Sequence, residues 1–299
     1  MEINFHLNPM LRRHKMKETS QKNRNIMSIT AIVIGLVMAY VIPFMAQTSL
    51  DRVLFHLNAH IEDGFPAFSS GLPLFDFFYS VWQAVIFAAG AALVIISQEI
   101  KKGTEWSFPL ALSLFALPSI GGFFMFLPYV SWVPGFPLPM VIAFIGLTGY
   151  WAFIFLRAGE TSVKWTQAGA LTFIGMLATH AFTIGIGAQR TMATRVTYPF
   201  YPDDWTFWLF RWAGEVNWVA VIFLFMSIPL IAMGKRKGWW MAVIPSITIL
   251  MINVPTQFYR MKTLDYLYGS ILAIGVLVFM LVPYFQERLI TNEDLAELE

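Results

Sequence analysis

Cysteine is absent from the chain, which removes disulfides, Cys-ligated zinc, iron–sulfur clusters and thiol catalysis together. Any metal or haem therefore needs His, Met or carboxylate ligands. Charge is scarce as well: Asp, Glu, Lys and Arg make up 13% of the residues and hydrophobic residues 57%, against about 25% and roughly 45–50% in soluble domains. A soluble fold is excluded. With a formal net charge of +2 spread over many connections, no face gathers the Lys and Arg that nucleic acid requires. Clustered Asp, which membrane enzymes acting on diphosphates use to hold Mg²⁺, is missing from the connections that read as cytoplasmic. Histidine is also sparse. Of five His, His6 and His14 lie in the polar N-terminal tail and only His180 lies within an apolar run. Two transmembrane b haems with four axial His are thereby excluded, whereas a single haem held by His180 with His60, or by His and Met, stays open.

What the chain does have is apolar runs of about the 20 residues needed to span the hydrocarbon core. They lie near 28–46, 74–97, 107–127, 139–157, 166–188, 212–233, 238–257 and 264–285. The reading is an all-α, polytopic transmembrane helical bundle of about eight spans, following a basic N-terminal tail (1–27) and ending in an acidic C-terminal tail (286–299). One alternating set of connections holds the N-terminal cluster, Lys101, Lys102, Arg157, Lys164, Lys235, Arg236, Lys237 and Arg288. The other holds Arg52, Arg190, Arg195, Arg211, Arg260 and Lys262. By the positive-inside rule the richer set is cytoplasmic, so both termini are expected on the cytoplasmic side of the plasma membrane.

Long external loops are expected after the first span (47–73) and the fifth (189–211), with short connections elsewhere. That spacing suggests two four-helix halves, whose meeting surface is a favoured place for binding sites. The stretches Tyr129–Pro137 and Tyr198–Trp205 are rich in aromatics and proline. They read either as an interfacial aromatic belt or as a docking surface for other membrane-protein subunits. The sixteen Met and twenty-eight Phe follow no Met-x-x-Met pattern and read as packing residues.

His56 and His60 are four apart, on one face of a helix, with Glu62 and Asp63 beside them and Gly64 and Pro66 ending the helix. Together with Glu62 they could ligate Cu²⁺ or Zn²⁺. The alternative is a short amphipathic helix on the outer surface. Whether 51–72 lies on the membrane or dips into it decides whether these His approach His180. That residue, as an intramembrane ionisable group, costs several kcal/mol unless it is paired or faces water. Arg211 and Glu215 at the outer end of the sixth span are spaced as an i,i+4 pair. His180, Glu215 and Arg211 either satisfy one another between helices or bind a cofactor such as a quinone. Asp76, Gln83, Gln167, Asn253 and Gln257 read mainly as interhelical hydrogen-bonding groups.

The segment Leu50–His60, followed by Gly64, resembles the His-x-x-x-His segment near the start of membrane proteins that assist assembly of caa3-type haem–copper oxidases. That resemblance implies copper handling at His56 and His60. The eight-span, two-half layout also looks like that of haem A synthases, but their paired haem-ligating His are missing from the later spans, which counts against that activity. The expectation is a subunit or assembly partner of a respiratory or redox complex, with an outward-facing site of His56, His60, His180 and Glu215 holding copper, a single b-type haem or a quinone. The alternatives are a small-solute transporter, supported by Pro118, Pro229, Pro245 and Pro255 within or near spans, and a purely structural subunit.

Overall fold

A computed structural model describes residues 16–194, 205–261 and 263–290. The basic residues up to Lys15, most of the Tyr198–Trp205 stretch, Arg195, Lys262 and the acidic tail from 291 lie outside the described residues. Among those described, the chain forms ten α-helices and no strand. They are α1 (Gln21–Tyr40), α2 (Ile42–Glu62), α3 (Gly71–Lys102), α4 (Ser107–Trp132), α5 (Leu138–Leu156), α6 (Thr161–Ala193), α7 (Trp205–Ala232), α8 (Arg236–Tyr259), α9 (Asp265–Leu281) and α10 (Pro283–Leu289). The protein is a multi-pass, all-α membrane bundle. Counting α1–α2 as one, seven helical stretches among the described residues are long and apolar enough to cross a membrane. The eighth is α9 with α10, bent by 74° where Pro283 starts a new helix. Taken alone, α9 has 17 residues, about 25 Å, a little short of a full crossing.

The packing falls into two rings. Helices α1, α3, α4 and α5 pack each on the next, with α5 returning to α1; α6, α7, α8 and α9 do the same, with α9 returning to α6. Between lipid-exposed helices no hydrophobic force drives association, so close packing of small residues matters most. Gly35 of α1 and Gly90 of α3 show it: a Cβ on Gly35 would stand 2.7 Å from the Gly90 carbonyl oxygen, and one on Gly90 2.5 Å from that of Gly35. Pro118, Pro229 and Pro245 sit inside helices that continue through them. The halves meet where α4 packs on α6 and α7 and α5 on α6, while α5 and α9 barely touch.

One end of the bundle gathers the basic connections. There Asn23 Nδ2 donates to the Leu156 carbonyl at 2.8 Å, Arg24 Nη1 to that of Lys102 at 3.2 Å, and Trp239 Nε1 to that of Met280 at 2.6 Å. The start of α1 therefore lies beside the ends of α3 and α5, and the start of α8 beside the end of α9. The opposite, aromatic end carries the turns after α2, α4 and α8.

Most of the expected loop 47–73 is helix, and the connection between α2 and α3 is confined to 63–70. Helix α1 runs almost unbroken into α2, 42 residues in all, or about 63 Å against roughly 40–45 Å for a bilayer with its headgroups. Polar residues dilute its hydropathy, but they support the helix locally. Gln47 Nε2 donates to Asp51 at 2.8 Å and Asn58 Nδ2 to Glu62 at 2.8 Å, both four residues on. On the inward face Leu50, Val53 and Leu57 are buried. Arg52 Nη1 donates to the Tyr129 hydroxyl at 3.0 Å, tying α2 to α4. Gly64, with φ +101°, ends the run in a conformation that suits glycine. The expected loop 189–211 is likewise shorter, since α6 continues to Ala193 and α7 begins at Trp205.

Candidate functional site

A cavity of about 820 Å³ opens between the two halves, within the roughly 300–1,000 Å³ of small-molecule sites. Its walls come from α4, α5, α6 and α9, with Leu57, Phe68 and Phe75 at the aromatic end. Along α6 it extends from Leu171 to Arg190, about 28 Å at 1.5 Å per residue. Leu127, Trp151, Met176 and Tyr268 of its lining are exposed, so the cavity opens sideways through the gap between α5 and α9. Gly175 and Gly187 of α6 line the cavity without a side chain, and a Cβ at either would meet nothing within 4 Å.

Most wall atoms are apolar, and most wall hydroxyls are already satisfied along their own helices. Thr179 donates to the Gly175 carbonyl at 2.9 Å, Thr183 to that of Thr179 at 2.9 Å and Ser119 to that of Phe115 at 3.1 Å. Tyr150 differs. It is 3% exposed, and its hydroxyl has no hydrogen-bond partner among the described residues. Trp151 beside it bonds Thr172 at 3.1 Å, which sets this level at the deep end of α6's wall. His180 lies further toward the aromatic end, half-buried. Behind it, a Cβ on Gly269 would stand 3.7 Å from the His180 Nε2 and 2.6 Å from Asn253 Nδ2. Asn253 is fully buried and accepts a 2.9 Å bond from Asn217, while its own Nδ2 has no partner among the described residues.

At the aromatic end the lining becomes charged, with Arg190, Arg260 and Asp265. The Arg190 guanidinium stands 4.9 Å over the Phe68 ring, and that of Arg260 lies 5.8 Å from Phe210 and 6.0 Å from Tyr266. Neither makes a salt bridge among the described residues. The two arginines are near enough to repel, and Asp265 is near enough to act on His180.

Of the candidate ligand-binding residues read from sequence, His56, His60, Glu62, His180, Arg211 and Glu215, His180 alone lines this cavity. Arg211 and Glu215 pair with each other at 2.8 Å on the exposed face of α7, each 55% exposed, and not with His180. His60 stacks on Phe65 at 4.2 Å, with Phe68 at 5.3 Å and Trp132 at 5.0 Å; it backs the aromatic roof of the cavity. His56 lies edge-on to Phe55 at 5.3 Å, and Glu62 bonds Asn58. Among the described residues no group of three His, Asp or Glu is placed to hold a metal. Tyr150, Arg190, Arg260, Asp265 and Tyr266 were not singled out from sequence as site residues. The available signal was Tyr150, a phenol twelve residues into an apolar helix. Comparison with family models, curated protein sequences and solved structures yields no match for this chain, so neither the oxidase-assembly nor the haem A synthase likeness is carried further.

Proposed function

We propose that this protein binds a membrane-borne amphiphile that slides from the bilayer through the α5–α9 gap into the cavity between the halves. The observation that carries the reading is a lateral, mostly apolar cavity about 28 Å deep whose charged groups all sit at one end. A water-soluble solute would need a polar path, and the deep walls offer chiefly Tyr150 and self-satisfied hydroxyls. A chain with a polar head matches both parts. The test is extraction of the purified protein for co-purifying lipids and native mass spectrometry. A bound amphiphile in wild type, lost in Gly175→Phe, supports the proposal; an empty cavity in protein taken directly from its own membranes refutes it.

The redox-subunit reading survives here in one form, in which the amphiphile is a quinone. Its supporting observation is His180, an imidazole in the cavity wall with no hydrogen-bond partner among the described residues, positioned to bond a quinone carbonyl. Quinone in the extract, lost in His180→Ala, favours it. The proposal of partner subunits docking at the aromatic end rests on the exposed Trp205, Trp208 and Trp212. Co-purification from native membranes tests it. By the positive-inside rule that end faces outward, and protease or label access to Phe65–Ser70 in intact cells checks the orientation.

A further inference from the structure

Cavity walls as apolar as lipid give a chain little reason to leave the bilayer, since hydrocarbon gains no hydrophobic free energy on moving between two apolar surroundings. Selection must then come from polar groups, and the strongest in this cavity are Arg190 and Arg260. We infer that these two arginines form a binding site for an anionic head group, of phosphate or carboxylate type, belonging to an amphiphile whose chain fills the cavity toward Tyr150. The inference rests on the amphiphile reading above.

Three observations carry it. The charged lining holds two guanidiniums and one carboxylate, Asp265, and neither guanidinium makes a salt bridge among the described residues. Instead each is held against aromatic faces, Phe68 for Arg190 and Phe210 with Tyr266 for Arg260; Arg260 also bonds the Tyr266 hydroxyl, and both guanidinium forks keep further N–H donors for a ligand. Two like charges facing one apolar cavity repel; an anion between them turns that repulsion into paired, charge-assisted hydrogen bonds. Depth agrees as well. Arg190 lies 29 residues along α6 from Thr161, about 44 Å, which is the thickness of a bilayer including its headgroups. A head held there stays at the level lipid heads already occupy, and the chain needs only lateral movement through the α5–α9 gap.

Tryptophan fluorescence supplies the test, because Trp132 and Trp151 line opposite ends of the cavity. Full-length protein in phosphatidylcholine nanodiscs is titrated with a brominated long-chain alkyl phosphate, with the brominated alcohol of the same chain, and with each in the presence of inorganic phosphate. Trp151→Phe identifies the cavity component of the quenching. The expected result is saturable quenching by the alkyl phosphate at a concentration at least about tenfold below that for the alcohol. This preference should be lost in Arg190→Gln and Arg260→Gln and largely kept in Arg190→Lys, with millimolar inorganic phosphate competing poorly. Equal binding of phosphate and alcohol, unaffected by the arginine variants, overturns the inference and leaves the amphiphile reading standing. Equal protection by inorganic phosphate overturns it in favour of a free anion. If neither chain quenches and Gly175→Phe changes nothing, the amphiphile reading fails with it. Should the Gln variants not fold, the phosphate-to-alcohol ratio in wild type and in Arg190→Lys still decides.

Discussion

Gly175→Phe separates a cavity that is used from a gap left by imperfect packing. Gly175 lies within α6 and lines the cavity, and its missing Cβ points into open space with no atom within 4 Å. In the empty protein a side chain therefore leaves the helix there without a clash at its first carbon. It also removes the entropic disadvantage of glycine in a helix, worth about 0.5–1 kcal/mol for Gly→Ala, so Gly175→Ala should keep or slightly raise the unfolding temperature. The phenyl ring of Gly175→Phe, by contrast, stands where the chain of a bound amphiphile would run, about one helical turn from the Tyr150 level on the side toward Arg190. Forcing a side chain into filled space costs about 1–3 kcal/mol, or roughly 5- to 150-fold in affinity. Brominated-chain quenching and thermal unfolding in the same nanodiscs measure the two quantities together. The reasoning predicts a folded protein with weakened binding. It is refuted if Gly175→Phe binds as tightly as wild type, because the ring would then fill space no ligand needs. It is equally refuted if Gly175→Ala unfolds the bundle, because the space beside Gly175 would then be occupied.

Other substitutions probe the frame around the cavity. Asn217→Leu leaves the fully buried Asn253 amide without its 2.9 Å partner; a loss of about 1–2 kcal/mol, read as a lower unfolding temperature, should be partly recovered in the Asn217→Leu/Asn253→Leu double variant. Gly35→Leu drives a side chain into the Gly90 carbonyl oxygen, 2.7 Å from where its Cβ would stand, and should cost at least about 1–3 kcal/mol, seen as poor recovery of folded protein by size-exclusion chromatography. His60→Ala removes the stack on Phe65 and Trp132 and should cost about 0.5–1.5 kcal/mol. Copper and zinc retained after gel filtration should be the same in wild type and in His56→Ala/His60→Ala; stoichiometric metal lost from the double variant would reinstate a metal site.

Run length and charge made the spans legible, because the bilayer imposes a minimum apolar length and the long runs meet it. The same reasoning misjudged 47–62. A hydropathy window averages Asp51, Arg52, His56 and Asn58 with their neighbours and sees polarity, whereas the helix is fixed by a stripe of Leu50, Val53 and Leu57 against α3 and α4 and by local pairs such as Gln47 with Asp51. The site was legible only at His180, since an ionisable residue inside an apolar run stands out by itself. Arg211 and Glu215 were read correctly as an i,i+4 pair, but spacing cannot say which way a pair faces, and this one faces outward. Tyr150 looked like one aromatic among many, and its distinguishing property, a buried hydroxyl with no partner among the described residues, exists only in three dimensions.

The arginines at the aromatic end show how a residue can carry two kinds of information. In sequence Arg190 and Arg260 counted only as the poorer side of a charge comparison, while Arg211 stood out by its spacing from Glu215. In the structure each is engaged differently: Arg52 with the Tyr129 hydroxyl, Arg211 with Glu215, Arg190 and Arg260 with aromatic rings. The first two lie on exposed faces outside the cavity lining. The last two rest on ring faces, with Arg260 also bonding the neutral Tyr266 hydroxyl; neither meets a carboxylate in a salt bridge among the described residues, and both line the cavity between the halves. A positive charge oriented by rings, without a salt bridge among the described residues, at headgroup depth and beside a lateral opening, is the arrangement that distinguishes a head-group site from a structural arginine.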